Sequence, residues 1–113
     1  MTTLTLTIKK APFDVMVTGE KNFEIREKSR WMTMRLYDRN GQERKYDFVK
    51  FTNGYGKDKP YFIAEFEGFD TIFQIYTTFS NGFRLDLAGE YWRINLGEVV
   101  EAGNLRRYRN EHL

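Results

Sequence analysis

The chain has 113 residues, 41% hydrophobic and 17% aromatic, with no cysteine and a formal charge of +2. That composition describes a single folded domain over residues 1–113 with one core, and it excludes disorder, a disulfide framework and thiolate chemistry. No apolar run approaches a membrane span and no signal-peptide pattern opens the sequence, so a cytoplasmic protein without a membrane partner is expected. The charge is too small to advertise nucleic-acid binding by itself, so any anion site must come from local clustering.

In chain order, Leu4, Leu6 and Ile8 alternate with threonines and Lys9, the pattern of a half-buried first strand. Pro12 suits the first position of a helix, and Phe13, Met16 and Val17 give that helix a buried stripe. Gly19 fits the residue just past its end, where a positive φ is cheap for glycine. In the strand that follows, Phe23 and Ile25 alternate with Glu24, Arg26 and Lys28. Glu24 and Arg26 therefore leave the sheet on one side, and Lys21 sits at the elbow between helix and strand. Lys9 and Lys10, just before the helix, could reach the same elbow; a solvated pair at a strand end is the plainer reading.

Met32, Met34 and Leu36 alternate with Thr33, Arg35 and Tyr37 and predict another strand. Asn40-Gly41 predicts a type I′ hairpin turn, with a return strand over Lys45 to Phe51. Residues 53–60, Asn-Gly-Tyr-Gly-Lys-Asp-Lys-Pro, are a loop without the phosphate-loop pattern. Its Tyr55, between glycines and near lysines, could stack a base or simply pin the loop. Strands are predicted over Tyr61 to Phe69 and Thr71 to Phe79, with a turn at Ser80-Asn81-Gly82. Phe83, Leu85 and Leu87 mark another, and Tyr91 to Val99 a closing strand. Trp92 belongs in the barrel wall on the face opposite Tyr91, and Trp31 is expected partly exposed near the charged elbow. Val100 to Leu113 allows a short helix around Leu105 and Tyr108, with Arg106, Arg107 and Arg109 as a basic tail. The total is seven or eight short strands and one or two short helices: a mainly β, α+β chain shaped as a small β-barrel.

Gly19-x-Lys21-x-x-Glu24-x-Arg26, following the short helix, resembles the signature of the ASCH superfamily of small PUA-like β-barrels. The longer run Phe23-Glu24-Ile25-Arg26, with Arg30 four residues on, is similar to a stand-alone branch common in bacteria and phages. Tyr91-Trp92 followed by Ile94-x-Leu96-Gly97-x-Val99 resembles the last strand of such barrels. The resemblance implies RNA-related work. Some ASCH-like proteins are amidohydrolases that use a lysine, a threonine and a glutamate on an acylated cytidine. Only the lysine matches here, at Lys21; Glu24 occupies the threonine position, which counts against that activity.

Metal chemistry has little to work with, since His112 is the one histidine and no carboxylate cluster has ligand spacing. A Ser-His-Asp hydrolase lacks its base for the same reason. No cofactor is implied. Two functions of different class stay open, with a bland third. In the first, a cleft lined by Lys21, Glu24, Arg26 and Arg30, with Lys9 and Tyr55 as further contacts, binds RNA or a nucleotide. In the second, Lys21 and Glu24 are the reacting pair of a metal-independent hydrolase, a ribonuclease or an amidohydrolase. In the third, the barrel binds another protein and the charges only pin helix to sheet.

Overall fold

A computed structural model describes residues 2–105 as a mainly β, α+β fold of five strands and two short helices. The elements are β1 (Thr3–Thr7), α1 (Lys10–Val17), β2 (Phe23–Glu27), α2 (Arg30–Leu36), β3 (Phe48–Thr52), β4 (Tyr61–Thr78) and β5 (Arg84–Gly103). The strands form one mixed sheet in the order β1-β3-β4-β5-β2, with β1 and β3 parallel and every other pair antiparallel. Its edge strands, β1 and β2, come close enough for the Arg26 side chain to donate to the Thr7 carbonyl at 2.8 Å. The sheet is thus curled into an open barrel with a seam between its first two strands. No helix of the described residues is long and apolar enough to cross a membrane.

Alternation fills the core. Leu4, Leu6 and Ile8 are buried from the β1 side, Val49 and Phe51 from β3, Phe62 and Ala64 from β4, and Trp92, Ile94 and Leu96 from β5. Helix α1 adds Phe13 and Met16, and Phe13 meets Phe62 edge-on with centroids 5.3 Å apart. Two turns of helix gain little from propensity, so this packing holds α1 in place. Gly19 ends the helix as its sequence suggests, at φ +87, with its N–H on the Met16 carbonyl. Pro12 lies two residues inside the helix start, still in the first turn, where an absent N–H costs nothing.

Three sequence expectations are corrected. Met32–Leu36 is helical. The Ser29 hydroxyl accepts from the Met32 N–H and caps the first turn. Met32 and Leu36 are four apart, so both reach the core from one helix face, and an alternating apolar pattern serves a short helix as well as a strand. The Asn40-Gly41 turn is also of another type. The Asp38 carboxylate accepts from the N–H groups of Asn40 and Gln42, and only Gly41 has a positive φ, with its N–H on the Asp38 carbonyl. No long return strand forms there: Tyr37 and Glu43 share one isolated bridge, and β3 begins at Phe48.

The third correction concerns number. The two strands expected over Tyr61–Phe69 and Thr71–Phe79 are one, β4, and the two closing segments are likewise one, β5. Register shifts between Phe66 and Phe69 and between Ile72 and Gln74 bend the pair without ending it, and Gly68 supplies a φ of +85 there. The first half of this hairpin belongs to the barrel, while its far half runs on as a two-stranded ribbon. Ser80-Asn81-Gly82 turns the ribbon as expected. Of the tail, Val100–Gly103 continues β5; Arg106, Arg107, Tyr108, Arg109 and His112 lie outside the described residues.

Candidate functional site

The elbow after α1 carries the site. The Gly19 turn drops the chain from the helix end, and Lys21 N–H bonds the Val15 carbonyl, so the lysine leaves the turn pointing into the barrel. Its side chain is only 1% exposed and that of Glu24 9%. The ammonium donates to the Phe23 carbonyl at 2.7 Å and to Glu24 Oε1 at 3.3 Å, with Met16 Sδ at 3.5 Å. All three N–H bonds of a charged lysine are therefore occupied. Glu24 Oε2 accepts from Arg26 Nε at 2.8 Å, and Arg26 Nη2 closes the seam on Thr7. Lysine, glutamate and arginine thus form one buried relay, as their spacing around the elbow suggests. No buried side-chain nitrogen or oxygen among the described residues lacks a partner.

Burial lowers the Lys21 pKa below that of an ordinary lysine. The neighbouring Glu24 opposes this, and the nearby Arg26 adds to it. Desolvation leads because burial removes the water that would stabilise the charged ammonium. The amine can in principle surrender its proton more readily than a surface lysine, although each donor is committed in this geometry.

A cleft of about 330 Å³ opens over the relay. Its floor is Lys21, Glu24 and Arg26; its walls include Ile8, Pro12 and Ile25 on one side and Phe83, Leu85 and Leu87 of the ribbon on the other. Lys9 joins the lining, so three cations face one carboxylate. Arg26 Nη1 makes no hydrogen bond within the described residues and remains available to a ligand.

The ribbon lies over the cleft because its turn is fastened. Ser80 donates from N–H and Oγ to the Glu20 carboxylate, and Asn81 Nδ2 donates to the Ala11 carbonyl at 2.9 Å. Phe79 packs on Phe23 with centroids 6.2 Å apart. The Ser80 hydrogen bonds also hold the Glu20 carboxyl below the usual carboxylate range. This wall is invisible to local sequence reasoning: Phe83, Leu85 and Leu87 lie some sixty residues from the elbow and read as an ordinary strand face.

Two expected contacts stand elsewhere. Arg30 is exposed at the start of α2, outside the lining of the cleft. Tyr55 is 85% exposed in the loop between β3 and β4, with no part in the cleft either. Lys10 pairs with Asp14 along α1 at 2.6 Å instead of reaching the relay. Trp92 is in the core as expected, and its Nε1 donates to Thr33 Oγ1. Trp31 is half exposed on α2, away from the cleft lining. Among the described residues no group of histidines, cysteines or carboxylates could hold a metal ion.

No protein family, curated protein or solved structure matches this chain.

Proposed function

We propose that this chain is a cytoplasmic, ASCH-like barrel that binds RNA or a nucleotide in the cleft over Lys21, Glu24 and Arg26. One observation carries the reading: an apolar slot, walled by Ile8, Ile25, Leu85 and Leu87, ends on a cationic floor with a free guanidinium nitrogen. Apolar walls suit the faces of a base, and the Arg26 fork suits a phosphate or a base edge. Lys21 acts in this reading as the cation that fixes Glu24, which in turn aims Arg26. The sequence resemblance points the same way.

The test is a titration with nucleoside monophosphates and short RNAs, followed through the backbone amides. Nucleoside monophosphates should shift the amides of Thr7–Lys9, Ile25–Arg26 and Leu85–Leu87, and short RNAs should shift these among others, with mononucleotide affinity falling about tenfold or more in Arg26→Gln, the scale of a lost charge-assisted hydrogen bond. Saturating ligand that leaves those amides unmoved would overturn the reading.

A second reading, a metal-independent hydrolase acting on RNA or an acylated nucleoside, is favoured by the lowered Lys21 pKa. It requires product from wild type and a loss on the order of 10²-fold in Glu24→Gln. Binding without product in wild type excludes it for the substrates offered.

A further inference from the structure

The β2–β3 connection is more basic than the chain around it. From Lys28 to Tyr46 there are six basic residues and two acidic ones, while the whole chain carries only +2. Helix α2 sorts these residues. Met32 and Leu36 are buried, so Arg30, Trp31, Met34 and Arg35 occupy the opposite, solvent-facing arc. Trp31 and Met34 are 50% and 55% exposed, and the Arg35 guanidinium lies 3.8 Å from the Trp31 ring centroid. Arg44 Nε donates to the Met34 carbonyl, which brings a further cation to the end of the helix. Beside it, Met34, Arg39 and Arg44 line an open hollow of about 570 Å³. Asp38 is the carboxylate in that lining, and its Oδ1 is engaged by two turn amides.

We infer that this face of α2, formed by Arg30, Trp31, Arg35, Arg39 and Arg44 around Met34, is a docking surface for single-stranded RNA, separate from the cleft. Charge complementarity commits the face to a polyanion, because α2 and the turn after it carry four arginines against the two carboxylates of Asp38 and Glu43. The half-exposed indole selects the kind of polyanion. Stacking needs an accessible aromatic face, and Trp31 is half exposed with a guanidinium 3.8 Å from its ring centroid, so a base can stack on the ring beside a cation. An anionic bilayer would also meet the charge. However, Trp31 is overlaid by a cation and gives no bare apolar prong to bury in lipid. The inference stands independently of the cleft reading, since no residue of this face lines the cleft.

Trp31 is a built-in reporter, because the chain's other tryptophan, Trp92, is in the core. Wild type, Arg30→Gln/Arg35→Gln, Trp31→Phe and the cleft variant Arg26→Gln are titrated with a short oligouridylate and, separately, with phosphatidylserine vesicles. All four are first checked for native circular dichroism. Oligouridylate should quench wild-type fluorescence, and the quench should be absent in Trp31→Phe. Binding should weaken about tenfold or more in the double arginine variant, whose salt dependence should drop by roughly 1.4 in log–log slope, about 0.7 for each lost cation. Arg26→Gln should quench as wild type does, even if the cleft itself binds nothing. Three outcomes overturn the inference: no quench at low salt, equal affinity and slope in the double arginine variant, or quenching by vesicles and not by oligouridylate. If the glutamine pair fails to fold, Arg30→Lys/Arg35→Lys keeps the charge, and it should retain the salt slope while losing affinity; an unchanged affinity there would remove the role of the stacked guanidinium.

Discussion

At the scale of single residues, the molecule depends on a buried charge set that is fully partnered. Lys21, Glu24 and Arg26 leave no donor or acceptor of the relay unsatisfied except the outward nitrogen of the arginine. Removing one member exposes the others to the full cost of burial. Lys21→Ala should therefore lose about 3 kcal/mol or more in chemical denaturation, from the orphaned Glu24 oxygen and the void together. Lys21→Met keeps the volume and leaves Glu24 its bond to Arg26, and should cost less. The same pair of proteins tests the proton. Because the folded pKa of Lys21 lies below the ordinary 10.5, the unfolded chain holds more protons between those two values. Stability from this group then rises with pH through that window, is complete above 10.5, and is lost as pH falls through the folded value. Wild type should gain on Lys21→Met as pH climbs toward 10.5. Parallel pH profiles for the two would show an amine of ordinary basicity. Arginine is no neutral replacement at this position, since a larger guanidinium must displace Met16 or the Phe23 carbonyl from a site with 1% exposure.

At the scale of elements, α2 shows how little separates a short helix from a strand. Residues 30–36 contain β-compatible apolar alternation, and nothing in their propensities forbids an extended conformation. Two features decide for the helix. One is the Ser29 cap on the Met32 N–H; the other is the pair Met32 and Leu36, which fills the core while Thr33 takes the Trp92 indole N–H. Ser29→Ala should cost about 1 kcal/mol by denaturant unfolding, the usual value of a lost N-cap. A change within a few tenths would mean that packing alone selects the helix. The α1–β2 elbow is the opposite case. Glycine at the helix end, a lysine two residues later and two charges with strand spacing are all local, and they converge as that spacing implies.

At the scale of the whole molecule, the hairpin of β4 and β5 joins two tasks. Its base completes the barrel, and its far end crosses to α1 and the elbow to wall the cleft. The bend between them centres on the irregular register around Gly68, whose φ of +85 suits glycine and strains any residue with a Cβ. No atom lies within 4 Å of where that Cβ would stand, so the cost of Gly68→Ala is conformational, about 1–2 kcal/mol. It should appear as a lower unfolding midpoint with an unchanged denaturant slope. A variant as stable as wild type would show that the bend does not need the left-handed residue.

Local patterns were enough for the α+β class, the end of α1 at Gly19, the three-charge relay and the core places of Leu4, Leu6, Ile8 and Trp92. Each of these follows from local periodicity or from spacings of a few residues, which fix side-chain direction without reference to distant chain. Tertiary structure alone decided that Met32–Leu36 coils, that four expected strands are two, and that Arg30 and Tyr55 stand apart from Lys21 while Leu85 and Leu87 stand beside it. The reason is physical: a bulge and a turn look alike in sequence. Which one forms depends on whether the neighbouring strand continues to offer hydrogen bonds, and that partner lies tens of residues away.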